Sequence, residues 1–286
     1  MSTSVLPSTR ALQQVIQSRP TSDGDGVKIS RIAGRHYNVA LDPFLLIDEI
    51  RSDDSRDYVG GFPPHPHRGF ETITYMLTGG FRHEDHLGNV GSVSAGGAQW
   101  MTAGRGIIHS EMPEADNGSL HGFQLWLNLP ADQKLCNPGW RDVQAGEMAR
   151  HQADSGAQVT LLAGKLGIAG ADAVALLEGP IRTVTDAVIA DIRLPAGSQL
   201  ELLLEARASA SVLVVAGGLP QLTAGQLGVF GPGERLQLAA QDEPAQLLLL
   251  SGRQLREPIA QYGPFVMNTM DEINTAMADY QNGQLV

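Results

Sequence analysis

Short, largely apolar runs recur along this chain, and most are closed within a few residues by Gly, Pro, Asn or Asp. They include Thr72 to Leu77, Val90 to Ala95, Phe123 to Leu127, Val159 to Ala163, Val188 to Ile192, Leu200 to Leu204, Ser211 to Val215 and Gln246 to Leu250. Runs of this length bounded by turn residues read as strands of a sandwich or barrel. No alternation of strands with segments of about 12 helical residues is present, which excludes a parallel α/β sheet. The 33 Gly, 16 Pro and 5% aromatic content agree with many turns between short strands. The expected fold class is all-β.

With 286 residues, the chain is long enough for two domains at about 150 residues each. Between Leu129 and Gly146 the pattern shifts to Pro130, Asp132, Gln133, Lys134, Asn137, Pro138 and Gly139, which reads as an inter-domain linker. The expected division is therefore 1–135 and 136–286, each half with a similar strand rhythm. Helix is expected from Met270 to Tyr280, where Asp271 and Glu272 sit near the start and Ile273, Met277 and Tyr280 share one face. At most one short helix is expected near the N-terminus, around Ala11 to Gln17.

Twenty Lys+Arg against 31 Asp+Glu give a formal charge of −11 with no basic run, so direct nucleic-acid binding is not expected. A single cysteine, Cys136, excludes an intrachain disulfide and a cysteine-based zinc site, and points to a reducing compartment. Residues 1–22 lack the charged and apolar blocks of a signal peptide. No apolar stretch approaches the roughly 20 residues that span a bilayer. The expectation is a cytoplasmic chain without membrane contact.

Two segments carry chemistry. One is Phe62-Pro-Pro-His-Pro-His-Arg-Gly-Phe-Glu71; the other is Ala103-Gly-Arg-Gly-Ile-Ile-His-Ser-Glu-Met112. In a strand, residues i and i+2 face the same side. His65 with His67, and His109 with Glu111, can then project as two pairs that converge if the strands are neighbours. Three imidazoles and a carboxylate suit Fe, Mn, Ni, Cu or Zn, and the Irving–Williams order does not choose among them. Pro66 removes a backbone donor, which places its stretch at a strand start or a sheet edge. Gly104 and Gly106 mark a tight bend before His109. A donor set at a barrel mouth leaves positions open, as catalytic sites do.

The remaining histidines compete less well. His83 and His86, three residues apart, fall on opposite strand faces and are expected in solvent. His121 is expected to be a satisfied core histidine, and His36 and His151 have no partner at ligand spacing. Glu71 is expected to orient an imidazole from behind. Past residue 121 only His151 and Cys136 remain as soft donors, so no second histidine-rich site can form there.

Five stretches resemble the pirin family of the cupin superfamily: residues 65–75, Phe81 to Asn89, Gln99 to Glu111, Gln124 to Pro130 and Glu257 to Thr269. The likeness runs from about Arg31 to Ile273 and is weakest between roughly 140 and 250. It implies a bicupin of two antiparallel β-barrels with a short C-terminal helix, the metal lying in the N-terminal one. Carried over residue by residue, it implies His65, His67, His109 and Glu111 as the ligands, with no ligand position departing from the family pattern. Cupins at large would have Pro in place of Gly104 and a ligand role for Glu71. The family includes quercetin 2,3-dioxygenases, which implies a flavonol-like substrate, O2, and Glu111 as the catalytic base. Fe(II) is the expected ion, with Mn, Co, Ni, Cu or Zn as alternatives. Other pirins are transcriptional coregulators or enzyme-binding proteins, so the alternative is a metal- or redox-sensitive regulatory protein with a protein partner. A monomer is expected.

Overall fold

A computed structural model describes residues 8–286, so positions 1–7 of the expected first domain lie outside the described residues. Strands dominate, every pairing within the sheets is antiparallel, and the chain forms two compact units, each with a seven-stranded and a four-stranded sheet. The all-β reading holds. Among the described residues, no helix is long and apolar enough to cross a membrane.

The units do not follow a cut at 135/136. One combines Ser18–Glu147 with Leu255–Val286; the other combines the described residues up to Gln17 with Met148–Gln254. The physical reason lies in the pairing of the chain ends. Leu12–Gln17, expected at most as a helix, is a strand that pairs with Gln226–Phe230. Residues 129–146 are built into the first unit, because Gly139–Val143 pairs with Ala98–Thr102. Lys134, which composition places in a linker, is 1% exposed there. Its Nζ donates to the Gly69 carbonyl, the Asn128 side chain and the Val266 carbonyl at 2.8, 2.7 and 3.0 Å.

In the first unit the large sheet runs, edge to edge, Gly139–Val143, Ala98–Thr102, Phe70–Thr78, Leu120–Asn128, Phe44–Ser52, Val27–Ala33 and Arg19–Asp23. The small sheet runs Phe62–His67, Ile107–Glu114, Gly80–Asp85 and Val90–Ser94. Ile29, Ile50, Met76, Phe81, Val93 and Leu120 form part of the apolar interior. The expected terminal helix spans Met270–Gln281 and starts on a capping box, in which Thr269 and Glu272 each bond the other's backbone N–H. Ile273, Phe265 and Leu285 share its apolar contact with Ile108.

The second unit is filled by aliphatic side chains, among them Val212, Val214, Leu202, Leu238, Leu247 and Leu249. Each fully buried leucine contributes about 1.5–3 kcal/mol. That interior is a packed aliphatic cluster.

Candidate metal centre

Phe62–His67 is an edge strand, as Pro66 requires, and its single sheet neighbour is Ile107–Glu114. The register sets His65 opposite His109 and His67 opposite Ile107. A shift between His109 and Glu111 brings Glu111 opposite Phe62, so one extra residue on the edge strand re-aims the side chains around it. The bend before His109 is present: Gly104 has φ +49°, a conformation that L side chains seldom adopt. At Gly69, just past His67, a Cβ would lie 1.9 Å from the Val266 carbonyl oxygen, so only glycine lets the C-terminal segment close against this strand end.

The three imidazoles meet. One nitrogen from each of His65, His67 and His109 lies within 4.8 Å of the other two. Their ring centroids are 4.4–5.1 Å apart. His65 Nδ1 donates outward to the Pro63 carbonyl at 2.8 Å, and His67 Nδ1 to the Pro264 carbonyl at 3.3 Å. A carbonyl only accepts, so both Nδ1 atoms carry a proton. The two Nε2 atoms face each other at 3.0 Å. His109 Nε2 is buried and has no hydrogen-bond partner. Opposed lone pairs at this distance repel unless a cation or proton lies between them, and a buried bare nitrogen without a partner is costly. Burial, reinforced by the neighbouring imidazoles, pushes the His67 and His109 pKa values well below the ordinary imidazole range. Both rings are therefore neutral at neutral pH, the form a metal needs. This donor set fits a divalent transition metal.

Glu111 is buried two residues beyond His109 on the same strand, and it does not belong to the group of donor atoms that converge within 4.8 Å. Its carboxylate lies 3.1 Å from Thr74 Oγ1 and 3.3 Å from Gln124 Nε2. Glu71 accepts from Trp100 Nε1 and Thr102 Oγ1. The groups on the outer ring nitrogens of the three histidines are the carbonyls of Pro63 and Pro264 and the His83 ring. His121 is satisfied by Glu49 at 2.8 Å.

The expectation that His83 is in solvent is wrong. His86 is exposed, but His83 is 0% exposed, stacked on Trp140 with ring centroids 5.2 Å apart. Its Nδ1 lies 3.4 Å from His109 Nδ1, and its Nε2 lies 3.4 Å from Asp85 Oδ2. Burial raises the Asp85 carboxyl, but hydrogen bonds from Asn89 and His83 outweigh it and hold the group below its ordinary value. The signal in the sequence is His83 with Asp85 at i and i+2, a spacing that puts both on one strand face.

Antiparallel barrels with an inward-aimed histidine cluster at a strand edge define a bicupin with a metal-type centre. Two family models match the chain, "Pirin" over residues 26–127 and "Pirin C-terminal cupin domain" over residues 189–286. A Vibrio cholerae protein named "Putative quercetin 2,3-dioxygenase" is 43% identical over 96% of this chain and 97% of its own length. A "Pirin-like protein" of Caulobacter vibrioides is 41% identical over 96% of this chain and 99% of its own. The crystal structure of quercetin 2,3-dioxygenase from Acinetobacter baumannii superposes with a TM-score of 0.85 at 29% identity, covering 97% of this chain and 99% of that one. This chain belongs to the pirin family.

Proposed function

We propose that this protein is a metal-dependent dioxygenase that opens a flavonol-like enol with O2, its ion held by His65, His67, His109 and Glu111. The observation that carries the proposal is the meeting of one nitrogen from each of His65, His67 and His109, with Glu111 buried two residues from His109 on the same strand. The names of the V. cholerae relative and of the A. baumannii structure supply the substrate class. Fe(II) is the proposed ion, since imidazole with carboxylate is a donor set used by non-haem iron oxygenases. When bound, such an ion supplies Lewis-acid stabilisation of a deprotonated enol oxygen.

The chain's own residues supply a place for the enol proton. Thr74 Oγ1 lies 2.5 Å from Gln124 Oε1 and 3.1 Å from Glu111 Oε1, so one hydroxyl proton faces two acceptors. Once Glu111 Oε1 takes a proton it can donate to Thr74, which donates to Gln124, whose Nε2 donates back to Glu111 Oε2. The ring is then complete, so Glu111 is built to receive a proton as a general base. Thr74 and Gln124 stand directly opposite each other in the sheet register, which holds both groups on one face.

Protein loaded in turn with Fe(II), Mn(II), Co(II), Ni(II) and Cu(II) is expected to bleach quercetin in air and release carbon monoxide with at least one of them. Absence of turnover with every ion removes the dioxygenase reading.

A further inference from the structure

His65 and His67 rest on backbone carbonyls, which can only accept, so the tautomers of both are set by the fold. His109 differs. Its outer nitrogen faces another imidazole, that of His83, at 3.4 Å. An imidazole donates or accepts according to its own tautomer, so the His109–His83 contact has no intrinsic direction. If His83 Nδ1 carried the proton, His109 Nδ1 would have to be bare and His109 Nε2, the atom aimed into the centre, would be blocked by hydrogen.

The next group outward removes that ambiguity. Asp85 Oδ2 lies 3.4 Å from His83 Nε2, and the side chains of both residues are 0% exposed. A carboxylate accepts only, so the proton of His83 belongs on Nε2 and its Nδ1 is left to accept from His109. Asp85 is itself fixed: Oδ1 accepts from the backbone N–H groups of Leu87 and Asn89 at 2.9 and 3.0 Å, and Oδ2 accepts from Asn89 Nδ2 at 2.7 Å. His83 is held from its other face by Trp140, stacked at an interplanar angle of 19°. Trp140 reaches that position because residue 91 is glycine, where a Cβ would lie 2.5 Å from the indole Cη2.

We propose that His83 and Asp85 form a positioning dyad that fixes the Nδ1–H tautomer of His109 and so keeps His109 Nε2 free for the metal. The inference rests on the metal-holding part of the proposed function and is independent of any substrate. Partners behind a metal-bound imidazole set its tautomer and basicity, and their loss costs about 10–100-fold in metal affinity.

Asp85→Asn is the informative variant. The Asn carbonyl can keep the bonds from the backbone N–H groups of Leu87 and Asn89, while its amide donates towards His83 Nε2 and, once the Asn89 amide turns its oxygen inward, towards Asn89. That reverses the chain, placing hydrogen on His83 Nδ1 and on His109 Nε2. Imidazole 15N spectra of the metal-free protein should show His109 as Nδ1–H and His83 as Nε2–H in the wild type, with both inverted in Asp85→Asn. In competition with a chromophoric chelator, Ni(II) alone should bind Asp85→Asn about 10–100-fold more weakly than wild type. In a His83→Gln background, where an amide carbonyl replaces the ambiguous ring, Asp85→Asn should add no further loss. His109 found as Nε2–H in the metal-free wild type overturns the proposal, and this result does not depend on any variant folding. Equal Ni(II) affinity of a folded Asp85→Asn and the wild type also overturns it. Failure to turn over quercetin would leave both readouts intact and bear only on the substrate.

Discussion

Replacing His109 by alanine is expected to weaken binding of a divalent metal by more than about 100-fold, since losing a donor costs more than losing the partner behind it. His109 Nε2 is buried without a partner and is one of three nitrogens that lie within 4.8 Å of each other. Alanine removes that nitrogen and leaves two imidazoles whose Nε2 atoms sit 3.0 Å apart. The control is His86→Ala, in the same sheet region but exposed, which should leave metal affinity unchanged. Chelator competition with Ni(II) reads both variants. If His109→Ala and His86→Ala behave alike, His109 is not a ligand.

Lys134→Met is expected to lower stability by about 3–5 kcal/mol, because buried acceptors lose a charged donor and find no water. The lysine lies 1% exposed in a stretch whose composition reads as a loop. Burial pushes its ammonium down to about 8, opposed by Glu257 and Glu272, so it still carries its charge at neutral pH. Its three protons go to Gly69, Asn128 and Val266 at 2.7–3.0 Å. Methionine has nearly the same length and no donor, so two backbone carbonyls and one amide oxygen are left unsatisfied. The loss also reaches the metal centre. Val266 is two residues from Pro264, whose carbonyl holds His67 Nδ1, and Gly69 is two residues from His67 itself. Urea denaturation should show the fall in midpoint. A change below about 1 kcal/mol would mean that the three contacts do not clamp the C-terminal segment.

The parts of this fold that could be read in advance are those written in local pattern. Strand periodicity and turn residues are local, so the all-β class and the helix that becomes Met270–Gln281 were visible. The convergence of His65, His67 and His109 is legible because two-residue spacing and a neighbouring strand bring the rings together, and Pro66 confines its strand to an edge. What stayed hidden depends on long-range pairing. Nothing near Leu12–Gln17 announces a partner at Gln226–Phe230, so a short polar strand looked at most helical. Nothing near Lys134 announces Val266, so a buried cation looked like a solvated linker residue. The Pro264 carbonyl was out of reach for the same reason. His83 is the exception: its pairing with Asp85 is local, at two-residue spacing on one strand.

X-ray absorption by protein loaded with stoichiometric Ni(II) tests the central claim most directly, alongside the same measurement on His109→Ala. Three imidazole scatterers in the wild type and two in the variant are predicted. Fewer than three in the wild type, or an identical spectrum from the variant, would contradict convergence of His65, His67 and His109 on one ion.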